Sequence, residues 1–346
     1  MRTIKFYLEK QSKKPSQQKK LRLIPNGLKD IPLIYGLANI SIAMNNFNDQ
    51  RYLMLPHFSL KKDGVFFLEK YHYLKFGRQD ISADIREKIF IDEGIIVEKK
   101  NYSWKTDLKV LVLEPHSDDF ALSASGFVLD KLKYGVNFSV LNLFSRTALN
   151  NFPWKHKCHL SSEEYEALRL KESNFAIVKY LGGKFASLKF ESLSLIKKPN
   201  QFNEQFFQAI YSIIHTKTPD VVMLPKAVQE HPDHIATFEL GPRLILSFPK
   251  IKFILYEDLP YARNKYAYIE RLGHIKKRLK ISEILIDCEH LINSMADLAI
   301  IYRSQFDDIN RAQMKAIIEQ DCRAVAAESN FSKEFAKRFF EVEGIK

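Results

Sequence analysis

Val110-Leu111-Val112-Leu113-Glu114-Pro115-His116-Ser117-Asp118-Asp119 carries an apolar run straight into an imidazole and two carboxylates. A short run almost free of polar side chains reads as a strand buried on both faces. A helical pattern opens at residue 120, so the tetrad His116-Ser117-Asp118-Asp119 sits at a strand's carboxyl end, where open α/β sheets build their sites. About a hundred residues later Asp220-Val221-Val222-Met223-Leu224-Pro225 leads in the same way to His231-Pro232-Asp233-His234. Right-handed crossovers leave the ends of both strands on one edge of the sheet.

Working outward, strands are expected at 108–114 and 136–144, with a helix at 120–133 between them. Helices follow at 162–180 and 203–215, with no strand assigned between them, then strand 220–224, helix 235–247 and strand 251–256. A further strand at 280–287 and two amphipathic helices at 289–302 and 309–327 complete the pattern. Alternation of this kind predicts an α/β, doubly wound, mostly parallel Rossmann-like sheet with helices on both faces.

Two imidazoles and a carboxylate that leave one position open are a recurrent ligand set for catalytic zinc, the open position holding a water that is polarised and then attacks. His116 and Asp119 are three apart, as are His231 and His234, so each pair can converge on a point above the sheet edge. Either histidine of the second cluster can ligate while the other faces the reacting group. Asp118 remains as a carboxylate able to take a proton from the water. Taken singly, Asp118 and Asp119 also suit the first turn of a helix, where capping and the helix dipole favour acidic residues. The pairing of two His/Asp clusters at two strand ends favours the metal reading.

The two clusters resemble the signatures of the PIG-L/LmbE-like family of zinc-dependent de-N-acetylases. Glu166 to Ala176 followed by Leu181-Gly182 resembles that family's helix, and Tyr302-Arg303-Ser304-Gln305 its late Ser-Gln element. The similarity spans roughly residues 107–330. It implies that His116, Asp119 and His234 bind the metal and that Asp118 is the general base. It implies too that His231 stabilises the oxyanion or protonates the leaving amine. Ser117 stands where the family most often has proline, and a serine can donate a hydrogen bond to a neighbouring carboxylate. The activity implied is removal of an acetyl or small acyl group from an N-acetylglucosamine-type conjugate, with zinc as the ion and ferrous iron accepted by the same donors. An amidase on a thiol conjugate or secondary-metabolite amide shares this chemistry, and a non-catalytic carbohydrate- or nucleic-acid-binding protein on this fold is the alternative from another class.

For substrate contacts, Arg146 at the end of the second strand is a candidate for a sugar hydroxyl or phosphate, with solvation or ion pairing as its bland reading. Asp233 is read as an orienter of His231 and as a second substrate candidate. Arg169 and Glu172, three apart on a helix, read as a structural ion pair. Tyr256-Glu257-Asp258-Leu259-Pro260-Tyr261 either lines the pocket or caps the next helix.

The 346 residues, 46% of them hydrophobic, are ample for a packed core. Three scattered cysteines argue against a disulfide framework, and the lysine-rich start lacks the apolar core of a signal peptide, so the cytoplasm is the expected location. Residues 1–105 read as a separate small β-rich or α+β domain, 106–346 as the deacetylase domain. Through residue 105 there are 20 Lys/Arg against 11 Asp/Glu, so most of the chain's net +12 lies there. Nucleic acid is not the expected partner of that charge. A solvated surface over a small core is its first reading, with contact with an anionic membrane surface or steering of an anionic aminosugar conjugate as the functional ones.

Overall fold

The computed structural model describes residues 107–146, 161–193, 199–228, 231–306 and 309–346, together with five short strands in the first hundred residues. The chain divides into two compact units, Met1–Lys99 and Lys100–Lys346. In the first unit, strands β1 (Ile4–Leu8), β2 (Leu21–Pro25) and β3 (Ile31–Leu33) form an antiparallel sheet. The sequence has strand-like runs in this region at 33–42, 64–68 and 95–99. A second pair joins β4 (Tyr52–Met54) to β5 (Ile96–Glu98), the latter inside the last of these runs. The run at 64–68 and most of that at 33–42 lie outside the described residues.

The second unit is built on seven strands: β6 (Lys109–Glu114), β7 (Asn137–Arg146), β8 (Lys184–Glu191), β9 (Val221–Pro225), β10 (Lys252–Tyr256), β11 (Leu279–Asp287) and β12 (Ala336–Ile345). Their spatial order is β11-β12-β10-β9-β6-β7-β8. Pairings from β10 through β9, β6 and β7 to β8 are parallel, whereas β12 lies antiparallel between β10 and β11. Helices cover both faces. They are α1 (Ser125–Leu132), α2 (Ser162–Asn174), α3 (Pro199–Lys217), α4 (Pro232–Ser247), α5 (Lys265–Arg278), α6 (Ile292–Ile301) and α7 (Arg311–Glu328). The doubly wound α/β expectation therefore holds, with one antiparallel strand added.

Burial explains why the central strands were legible. Val110 to Leu113 and Val221 to Leu224 are buried throughout, as strands covered on both faces must be. From β6 the chain runs outward through β7 to β8, then returns to β9 on the opposite side of β6 and continues to β10. The boundary between β6 and β9 is thus a topological switch point, and the crevice at its carboxyl edge is where α/β sheets bind ligands. Both His/Asp clusters begin there.

Three elements of the second unit were absent from the expectation: β8, α5 and β12. β8 is an edge strand whose residues are all exposed or half-buried, and its lysines break up the apolar signal. α5 is rich in basic residues, with Tyr268 and Ile275 its buried side chains. β12 pairs on both sides yet carries Lys337, Arg338, Glu341 and Glu343 among its apolar residues.

Just before β8, Gly182 adopts φ +74°, and a Cβ on Gly183 would fall 2.3 Å from the Phe138 ring. Phe138 in turn stacks on Phe120 at 5.8 Å, and Phe120 directly follows Asp119. Gly183→Ala is therefore expected to displace Phe138 and destabilise the fold by about 1–3 kcal/mol, the usual cost of overpacking, measured by urea unfolding. An unchanged midpoint would show that the Phe138 and Phe120 stack yields freely.

Candidate metal centre

At the end of β6 the chain turns sharply. The Asp118 N–H donates to the His116 carbonyl at 2.8 Å, and the His116 N–H donates to Asp119 Oδ2 at 2.7 Å. A widened π-turn, Phe120–Ala124, then leads into α1. Turns of this kind are frequent at functional sites. The Phe120 N–H donates to Glu114 Oε2 at 3.1 Å, so a buried carboxyl group closes the turn from below. At the other cluster His231 is the N-cap of α4, with Pro232 at the first helical position, and its Nδ1 accepts the Asp233 N–H at 3.3 Å. One turn into the helix, His234 faces inward and is fully buried.

The two clusters meet. His234 Nε2 lies 3.2 Å from His116 Nδ1 and 3.4 Å from Asp119 Oδ2, and His116 Nδ1 lies 3.7 Å from the same oxygen. Neighbouring ligands of a tetrahedral zinc, each about 2.0–2.1 Å from the ion, stand about 3.3 Å apart, so this triangle fits one face of such a site. His231 is close as well: one ring nitrogen from each of His116, His231 and His234 falls within 4.8 Å of the others. The His116, Asp119 and His234 triangle is the tighter set. His231, half-buried, flanks it with its ring 4.7 Å from that of His116.

Behind each of the two closest imidazoles stands a carboxylate. Asp233 Oδ2 is 2.9 Å from His116 Nε2, and Asp258 Oδ1 is 2.6 Å from His234 Nδ1. Outer carboxylates of this kind fix the ring and its tautomer so that the other nitrogen points at a metal. Both aspartates are fully buried. Asp233 is thereby corrected: its carboxylate takes His116 and the Leu193 N–H (2.7 Å), so it stands behind a ring rather than against a substrate, and it meets His231 through its backbone N–H. The helical turn after the N-cap rotates Asp233 inward, which adjacency in sequence does not show.

Burial dominates the electrostatics. It lowers His116 to about 3 despite the hydrogen bond with Asp233, and raises Asp119 to about 7 against the pull of His234. For His234 burial also opposes the charge, but Asp119 and Asp258 outweigh it and hold the ring at about 9. Burial pushes Glu114 well above the carboxylate range, with Asp119 adding to it, and lowers His231. Carboxyl groups from Glu114, Asp118, Asp119, Asp233 and Asp258 thus crowd one buried edge. A divalent cation is the partner such a donor set suits.

Asp118 turns the other way, to Arg169 of α2, whose Nη2 donates to Oδ1 at 3.1 Å. Burial raises this carboxyl while Arg169 opposes the rise. Glu172 instead accepts the Ser304 N–H at 2.7 Å and the Ser304 hydroxyl, and Gln305 Nε2 donates to Tyr165 at 2.8 Å. Arg169 and Glu172 thus each tie α2 to a different element, with Glu172 adding its charge to the surroundings of Arg169. Ser117 is buried and its hydroxyl has no hydrogen-bond partner among the described residues, so the expected bond to a carboxylate is absent. Arg146 ends β7 exposed, 3.6 Å from Glu166, as its bland reading has it, and residues 147–160 beyond it lie outside the described residues. The helix after β10 is capped by Asn264, not by Glu257 or Asp258. The task of Asp258 was not legible in the sequence; an acidic residue just past β10, on the same edge as both clusters, was the available signal.

Comparison with known proteins follows this geometry. The family model described as PIG-L, GlcNAc-PI de-N-acetylase, matches residues 111–245, a span that opens in β6 and contains both clusters. Residues 111–245 are thus similar to a PIG-L family domain. A crystal structure of a deacetylase from the biosynthesis pathway of teicoplanin is similar at 21% identity and a TM-score of 0.55, covering 68% of this chain and 97% of that one. The A40926 pseudoaglycone deacetylase Dbv21 gives 24% identity and a TM-score of 0.53 over 68% of this chain and 98% of its own. A structure of the zinc inhibited form of teicoplanin deacetylase Orf2 gives 19% and 0.54 over 68% and 97%. At these identities the likeness to the solved structures is one of fold. None of the curated proteins matches the chain. Among the described residues no helix is long and apolar enough to cross a membrane.

Proposed function

We propose that the PIG-L domain is a metal-dependent hydrolase that removes an acetyl or other small acyl group from the amide nitrogen of an N-acetylglucosamine-type conjugate. The observation that carries this reading is the triangle of His116 Nδ1, Asp119 Oδ2 and His234 Nε2, with edges of 3.2 to 3.7 Å. These three would hold zinc, with ferrous iron accepted by the same donors. When bound, the ion supplies a Lewis acid that acidifies water and polarises the amide carbonyl.

The chain's own residues do the rest. Asp233 and Asp258 keep the protons of His116 on Nε2 and of His234 on Nδ1, so each ring offers its other nitrogen. Asp118 is the general base: Arg169 binds Oδ1, so the proton is taken at Oδ2. His231 accepts the Asp233 N–H at Nδ1, which puts its own proton on Nε2. Burial favours the neutral ring, so His231 enters as a donor toward the developing oxyanion or the leaving nitrogen. Residues 106–346 would form the deacetylase domain and the basic residues 1–105 a separate unit suited to an anionic sugar conjugate or an anionic membrane surface. Three cysteines widely scattered in the sequence are in keeping with a reducing compartment such as the cytoplasm.

The reading is tested by elemental analysis of the purified protein and by assay of free amine from a panel of N-acetylglucosamine conjugates. One ion per chain and release of acetate are expected; failure of every conjugate in the zinc-loaded protein would sink the substrate class. A sharper expectation concerns Arg169→Met. Because the guanidinium holds the Asp118 carboxyl down, its loss is expected to move the acid limb of the pH profile of kcat/KM to higher pH. An unmoved limb would mean that a group other than Asp118 sets it.

A further inference from the structure

Between the β9 and β10 strand ends lies a buried cationic cluster that this mechanism leaves unused. Lys226 is fully buried. Its Nζ stands 3.3 Å from the centroid of the Tyr268 ring, 4.7 Å from that of Phe340 and 3.3 Å from Glu257 Oε1. Arg338, from β12, reaches the same oxygen with Nε at 2.7 Å and lies over Tyr268 at 4.7 Å. Burial pushes the Lys226 ammonium down to about 8, with Glu257 opposing the fall. Exchanging a buried ion pair for apolar side chains of the same volume is often neutral or stabilising, so stability alone does not account for this group.

Its place in the chain does. Glu257 and Asp258 are consecutive and send their side chains to different partners: Glu257 into the cage, Asp258 toward His234. The Lys226 N–H donates to the Tyr256 carbonyl at 2.9 Å, and its carbonyl accepts Arg271 Nε at 2.9 Å. Ala227 then turns through φ 59°, a conformation that strains a non-glycine residue by about 1–3 kcal/mol, and brings the Val228 N–H to Asp258 Oδ2 at 3.1 Å. The turn after β9 thus holds Asp258 Oδ2 and leaves Oδ1 to His234.

We propose that Lys226, Glu257 and Arg338 are positioning residues that fix the turn after β10 so that Asp258 holds His234 in the orientation a metal ligand requires. The inference rests on the metal-centre reading above. Its test is zinc affinity, measured by competition with a chromophoric chelator, for the wild type, Lys226→Met, Glu257→Gln, Asp258→Ala and the double variant Lys226→Met with Asp258→Ala. Methionine keeps the length and suits the aromatic cage. Lys226→Met and Glu257→Gln are each expected to weaken zinc binding about ten-fold, in the range found for residues behind a ligand. On the Asp258→Ala background the Lys226 change is expected to add nothing, because the residue it acts through is gone. Wild-type affinity in Lys226→Met, or the same loss on both backgrounds, would overturn the positioning role. Should Lys226→Met fail to fold, Glu257→Gln with and without Asp258→Ala decides the matter by the same comparison. A wild-type chain that takes up no zinc would overturn the metal-centre reading itself, an outcome separate from intact uptake with an unaffected Lys226→Met.

Discussion

Asp118→Asn is expected to lower kcat by about 10²- to 10⁴-fold while zinc uptake stays near the wild-type level. The asparagine keeps the size and the carbonyl oxygen that accepts Arg169, so the local hydrogen bond survives. What it loses is the capacity to take a proton. The metal triangle does not include Asp118, and the turn that places Asp119 runs through backbone groups of His116 and the Asp119 carboxylate. A selective loss of kcat with retained zinc separates a base from a ligand, whereas equal turnover by the variant would remove Asp118 as the base.

His234→Ala is expected to abolish stoichiometric zinc and bring activity to background. In the ion-free protein it is also expected to destabilise the fold by about 3–5 kcal/mol, because it leaves the buried Asp258 without its charged partner. The pH dependence has a definite sign. The ring is raised from 6.5 to about 9 in the fold, so its contribution is fully present below pH 6.5 and is lost as pH rises through 9. Zinc must displace the same proton, and the one that Asp119 holds up to about 7, so zinc binding strengthens with pH over that window. The zinc-induced rise in Tm should therefore be larger at pH 8 than at pH 6. A rise independent of pH, or a His234→Ala variant that still binds one zinc, would move the ion to the neighbouring set that includes His231.

What could be read from the sequence was set by burial. β6 from Val110 onward and β9 along its length are buried, so their apolar runs carried the parallel sheet, and the residues that follow them carried the site. β8, exposed or half-buried along its length, and α5, with Tyr268 and Ile275 buried among basic residues, gave no such contrast. Pairings inside the site were legible only when they joined the two clusters. Asp233 was assigned to its neighbour His231, yet the first helical turn sends its carboxylate to His116, more than a hundred positions away in the chain. Arg169 and Glu172 have the spacing of a helical ion pair, but Asp118 and Ser304 offered buried partners that spacing cannot reveal. Asp258 sits behind His234 because β10 runs parallel beside β9, a relation that exists only once the sheet has formed.

The placement of β12 bears on the order in which this protein matures. Lying antiparallel between β10 and β11, it is the last strand of the sheet to be synthesised, eighty residues after β10 ends. Both His/Asp clusters leave the ribosome well before it. Until β12 arrives, β10 presents an unpaired edge and Glu257 lacks Arg338. Parallel strands that pair before β12 is made keep that edge open until it inserts, and edge-to-edge association is the hazard of that interval.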